Sequence, residues 1–113
     1  MSNPVLDVIH AMQTALRDGL EALIKQEAEQ AAELQRKAKA VLDDAEKALH
    51  TPHPDLSGKA EHDRQVSDSQ AIGMGAENLM RKAHDIYEQI KGKREALAAV
   101  NKVLTQFEKQ HGG

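Results

Sequence analysis

From Ile72 to Phe107 the positions that carry the apolar pattern advance by four and three residues in strict alternation. They are Ile72, Ala76, Leu79, Ala83, Ile86, Ile90, Lys93, Leu97, Val100, Leu104 and Phe107. That is a heptad repeat, and it constrains the fold more than any other feature of the chain. A stripe with this period belongs to a helix, and a stripe this long needs another helix to cover it. Met80 and Tyr87 widen it on one flank, and Ala96 and Val103 on the other. Such width suits a helical bundle better than a two-stranded seam.

Lys93 interrupts the repeat beside Gly92, within the run KGKR. A lone polar residue at a core position can fix register or partner choice at a cost in stability. It can also lift its ammonium to water along the seam's edge, and this second reading is the one we favour from sequence.

The first half of the chain predicts a second long helix, over about residues 4–49. Asn3 is a suitable cap, Pro4 suits the first helical position, and Asp7 lies near the positive end of the dipole. Apolar residues recur in steps of three or four: Val5, Ile9, Met12, Leu16, Leu20, Ile24, Ala28, Ala31, Leu34, Ala38, Leu42, Ala45 and Leu49. At 1.5 Å per residue such a helix is roughly 69 Å long. Glu33 with Lys37, and Asp43 with Lys47, have the favourable i,i+4 order of a solvated face.

Between the helices lies a hinge, residues 50–57, in which Pro52 and Pro54 end the first helix and force an extended turn. A polar segment, residues 58–71, follows. It has too few apolar residues to show a period, so sequence leaves open whether it is helical or disordered. Ser67 or Ser69 could cap the second helix, with Gln70 closing a capping box. We place the heptad helix at about residues 72–110. Gly73 and Gly75 weaken its start by about 1 kcal/mol each relative to alanine.

The expected fold is therefore all-α: one helical domain, residues 1–113, built as a long antiparallel hairpin. Folding it about the hinge lays residues 5–24 opposite residues 84–107. A lone hairpin leaves stripes uncovered. Burial at about 25 cal/mol per Å² barely offsets an ordering cost of about 1.5 kcal/mol per residue. Dimerisation to a four-helix bundle is the simplest remedy, and a protein partner that donates helices is the other. The expected oligomer core is Val5, Ile9, Met12, Leu16, Leu20 and Ile24 with Ile72, Leu79, Ile86, Ile90, Leu97, Val100, Leu104 and Phe107. Toward the hinge the apolar match is poor, so Val41, Leu42, Leu49, Leu56 and Val66 are the candidate surface for a different partner.

Composition argues against catalysis. Aromatic residues make up only 2% of the 113, so the walls of a substrate pocket are scarce. The acids are scattered among bases, the single Glu-x-x-His spacing, Glu108 to His111, falls in the tail with no second copy to pair with, and GMG is too short for a phosphate loop. We expect no enzyme activity, no cofactor and no small-molecule substrate. Basic runs at residues 81–82 and 91–94 are interspersed with Asp85, Glu88 and Glu95 in a chain of net charge −3, which reads as a solvated face rather than a nucleic-acid site. The uncharged run over residues 8–16 is too short and polar to cross a membrane, and no basic segment precedes it as in a signal peptide. The polar faces lack the pattern of an interfacial helix. We expect a soluble, cytoplasmic protein with no membrane contact, export without a cleaved signal remaining open. The chain has no cysteine, which excludes disulfides and thiolate metal sites.

His50, His53 and His62, with Asp55 and Asp63 nearby, are the weak candidates for a metal site. Three imidazoles could hold zinc with a water in the fourth position. The His-x2-His pair straddles prolines, however, and matches no established ligand spacing, so we read the stretch as a bend. The six histidines could also titrate in mild acid. His10 and His84 flank their stripes, and His111 belongs to the tail.

Two helices around the Pro-x-Pro bend TPHP resemble, in outline, small helical components of bacterial secretion needles and their chaperones. The resemblance covers the bend and general helicity only, the chain is long for a needle subunit, and no residue role carries over. It implies an assembly subunit or chaperone of a secretion apparatus. The residues themselves point first to a non-enzymatic interaction module, an adaptor, chaperone or inhibitor that self-associates. A metal- or pH-responsive helical sensor using the hinge histidines is the other alternative.

Overall fold

The computed structural model describes residues 3–111. Two helices, α1 (Pro4–Leu49) and α2 (Lys59–His111), form an antiparallel hairpin, with no strand among the described residues. The start of α1 is built as its sequence dictates. Asn3 Oδ1 accepts from the Val5 amide at 2.9 Å, and the Asn3 carbonyl accepts from Asp7 N at 2.9 Å.

The prolines do end α1. Its last turn is closed by Thr51, whose hydroxyl donates to the Lys47 carbonyl at 2.8 Å, and by the His50 amide, which donates to the same carbonyl at 3.0 Å. Pro54 then occupies the second position of a β-turn, in which Leu56 N donates to His53 O at 2.9 Å. Gly58 follows at φ +57°, a left-handed conformation that costs a side chain about 1 kcal/mol or more.

The helix after the bend begins at Lys59, well ahead of the heptad, so residues 59–71 of the polar segment are helical. Several bonds replace the missing apolar period. Glu61 Oε2 accepts from His53 N at 3.2 Å, and Gln65 Nε2 donates to Thr51 O at 2.9 Å, both tying the first turns of α2 to the bend. Arg64 and Asp68 pair at 3.1 Å with i,i+4 spacing. Gly73 and Gly75 stay inside the helix. A side chain at Gly73 would meet nothing within 4 Å. The same substitution therefore has opposite signs at two glycines. Gly73→Ala raises stability by about 0.5–1 kcal/mol through propensity, and Gly58→Ala lowers it by about 1 kcal/mol. Urea unfolding of the two variants measures both shifts.

The inward positions of α1 also keep a strict four–three alternation, but one residue away from part of the expected stripe. They are Leu6, His10, Gln13, Arg17, Leu20, Ile24, Glu27, Ala31, Leu34, Ala38, Val41, Ala45 and Ala48, all buried or half-buried. The apolar residues take successive steps of four from Met12 through Leu16, Leu20 and Ile24 to Ala28. Repeated steps of four carry a stripe around the helix, whereas a straight seam keeps its mean step of 3.5. Val5, Ile9, Met12 and Leu16 consequently fall outside the hairpin. The α2 seam lies as the heptad predicts, with Ala76, Ala83, Ile90, Val100 and Leu104 buried.

The hairpin's contacts gather into two compact units, Met1–Glu29 with Ile86–Gly113, and Gln30–Asp85. In the unit that holds the bend, the buried residues are Ala31, Ala38, Ala45, Ala48, Ala76 and Ala83. Alanines at seven-residue spacing permit a close approach of two helices, and the fully buried positions of this unit are all small, while the larger Leu34, Val41 and Leu79 are half-buried. In the other unit Ile90, Val100 and Leu104 are the buried residues, and the His10 ring stacks on Phe107 with centroids 5.1 Å apart. His10 thus faces α2 instead of the surface.

Candidate functional site

The bend gathers polar groups. His53 is half-buried, with Nε2 at 3.6 Å from Asp68 Oδ2, and Asp68 is shared with Arg64. His50 and His62 are exposed, and His50 belongs to a shallow groove shared with Asp43, Glu46 and Lys47. No group of three or more potential ligands is placed to hold a metal ion among the described residues. His53 serves the bend, through its backbone bond to Glu61 and its ring's approach to Asp68.

The unit formed by residues 1–29 and 86–113 holds the feature with most functional content. On α1, Val5, Val8, Ile9, Met12, Ala15, Leu16, Gly19, Ala22 and Leu23 are all exposed, with Met12 at 65%. Their spacing puts all nine on one side of a helix with 3.6 residues per turn. No charged or hydrogen-bonding side chain interrupts them. The polar residues of the same stretch point elsewhere, and His10, Gln13, Thr14 and Arg17 are half-buried. The start of α1 therefore turns polar groups toward α2 and its most apolar side outward. A globular chain with no use for that side would be expected to face it the other way.

The expected oligomer-core residues consequently divide. Val5, Ile9, Met12 and Leu16 lie on the outward side, and Ile72 is also exposed. Leu20, Ile24, Leu79, Ile86, Leu97 and Phe107 are half-buried, and Ile90, Val100 and Leu104 are buried. At the bend, Leu42 and Leu49 are exposed, while Val41, Leu56 and Val66 are half-buried.

Lys93 does not rise to water alone. Its Nζ lies 2.6 Å from Glu27 Oε1, joining a seam position of α2 to a seam position of α1. Glu27 is the more enclosed partner, and its Oε2 is buried with no hydrogen-bond partner. Sequence reasoning singled out Lys93 but missed Glu27, which sits four residues before Ala31 on the true seam. It also missed Val8, Ala15, Gly19, Ala22 and Leu23 as members of the outward face. The signal was the run of steps of four after Met12. Elsewhere the surface is ordinary: Arg36 bonds Glu33, and this bond and its charge hold the Glu33 carboxyl below the usual glutamate range on exposed surface.

No described helix is long and apolar enough to cross a membrane. Comparison with models of known families, with curated proteins and with solved structures finds no match.

Proposed function

We propose that this chain is a non-enzymatic helical interaction module that self-associates through its amphipathic helices and acts on another protein as an adaptor, chaperone or inhibitor. One observation carries the reading. Nine positions on one side of α1, within residues 5–23, are apolar and exposed, while His10, Gln13, Thr14 and Arg17 of the same turns are half-buried. Exposed apolar surface on this scale marks a protein contact. The alanine-rich seam and the scarcity of aromatic residues supply little of the apolar wall that a substrate pocket uses, which favours binding over catalysis.

The test is molar mass by light scattering over a range of concentrations, with chelator present to remove any metal effect. A mass of twice the chain, held on dilution into the low micromolar range, is the expected result. A single-chain mass at every concentration contradicts self-association. The exposed Leu42 and Leu49 are the surface we assign to a different partner. Leu42→Asp is therefore expected to leave the mass unchanged while reducing capture of a protein that co-purifies with the wild type. Equal capture would remove that assignment.

A further inference from the structure

The outward face of α1 has a period of its own. Val5, Ile9, Met12, Leu16, Gly19 and Leu23 advance by four, three, four, three and four residues, which is a second heptad seam. It runs one residue behind the inward seam at Leu6, His10, Gln13, Arg17, Leu20 and Ile24. One residue is about 100° around a helix, so α1 carries two seams about 100° apart. A helix in a two-helix hairpin needs one seam. A helix at the corner of a four-helix bundle needs two, each facing a different neighbour. One neighbour, α2, is present.

We infer that the other is α1 of a second copy, laid antiparallel, with the two outward seams packed on each other. This rests on the self-association proposed above and assigns it a surface and a direction. The seam can meet a second copy of itself about a two-fold axis, and side-chain size selects the antiparallel direction. Reversed on itself it aligns Val5 with Leu23 of the second copy, Ile9 with Gly19, and Met12 with Leu16. Size is matched in the layer that matters most. Gly19 leaves open space, since a side chain there would meet nothing within 4 Å, and the residue opposite it is the branched Ile9. A parallel pairing would oppose Gly19 to Gly19 and leave a void. No charge lies on the seam. Its flank toward Val8 and Ala22 brings Ala15 against Ala15 at the two-fold axis, where a small residue permits close approach. The α2 side continues the face, because Gly92, Ala96, Ala99 and Val103 keep the same one-residue offset and are all exposed or, for Val103, 44% exposed.

The chain has no cysteine, so single cysteines report the geometry without interference. A disulfide needs Cα atoms within about 7 Å. Under mild oxidation Ala15→Cys is expected to form a covalent dimer in high yield. Val5→Cys is expected not to, because its two copies stand about 27 Å apart at 1.5 Å per residue. Met12→Glu is expected to give a single-chain mass by light scattering, with helicity by circular dichroism retained because Met12 makes no part of the hairpin seam. If the wild type is a dimer but Val5→Cys links as readily as Ala15→Cys, or Met12→Glu stays dimeric, this face and direction are wrong and self-association stands. If the wild type is a single chain, both fall. If Met12→Glu fails to fold, the comparison of Ala15→Cys with Val5→Cys decides the face and direction alone.

Discussion

Ile90→Ala lowers stability by about 3 kcal/mol, the largest effect expected of any single truncation in this chain. Ile90 is 1% exposed and is the largest side chain that the structure buries completely. The cost is therefore the lost transfer of three carbons together with an unfilled cavity. Domains of this size are stable by about 5–15 kcal/mol in total, so one residue carries a large fraction. Urea unfolding measures the effect as a lower midpoint at unchanged slope. Met74→Ala is the matched control, since Met74 is 66% exposed, and its shift is expected within about 0.5 kcal/mol. Equal shifts for the two variants would mean that the seam is not where the structure puts it.

The second large effect belongs to Glu27 and Lys93. Taking two charges out of water is costly, and their pairing offsets that cost only while both are present. The two removals are not equivalent. Glu27 is 14% exposed, has a short side chain, and keeps one oxygen buried without a partner. Lys93 has a longer stem and 28% exposure, so it can reach water once its partner is gone. Lys93→Met is therefore expected to cost about 3 kcal/mol, and Glu27→Leu about 1–2 kcal/mol. The double variant Glu27→Leu, Lys93→Met recovers most of the loss, because no charge is left stranded. A double-mutant cycle from urea unfolding provides all three numbers. What the double variant loses is a charged pairing that ties a seam position of α1 to a seam position of α2. Additive losses in the cycle would show that the two groups do not meet.

These two sites also show where sequence reasoning succeeds. The heptad over residues 72–107 could be read directly, because large apolar residues hold most of its positions and any one-residue error would have put Ile86 and Ile90 in water. Pro52 and Pro54 marked the bend for an equally local reason. The α1 seam was harder. Its inward positions before Leu20 are Leu6, His10, Gln13 and Arg17, and a search for apolar periodicity passes over three of the four. It finds Val5, Ile9, Met12 and Leu16 instead, which are genuine members of a different seam. Residues 59–71 were illegible for another reason. They are held by Gly58, by Glu61 and Gln65 bonding back to the bend, and by one i,i+4 pair, none of which produces an apolar period. Lys93 announced an exception in the heptad, but its partner lies 66 positions earlier and could be assigned only once the hairpin's register was known.

If a second copy covers the uncharged outward side of α1, folding and association are coupled. Thermal unfolding at several protein concentrations tests this most directly, since a fold completed by association has a midpoint that depends on concentration. The wild-type midpoint is expected to rise with concentration, and the Met12→Glu midpoint to be lower and not to change. A wild-type midpoint that is the same at every concentration, and equal to that of Met12→Glu, would contradict that coupling.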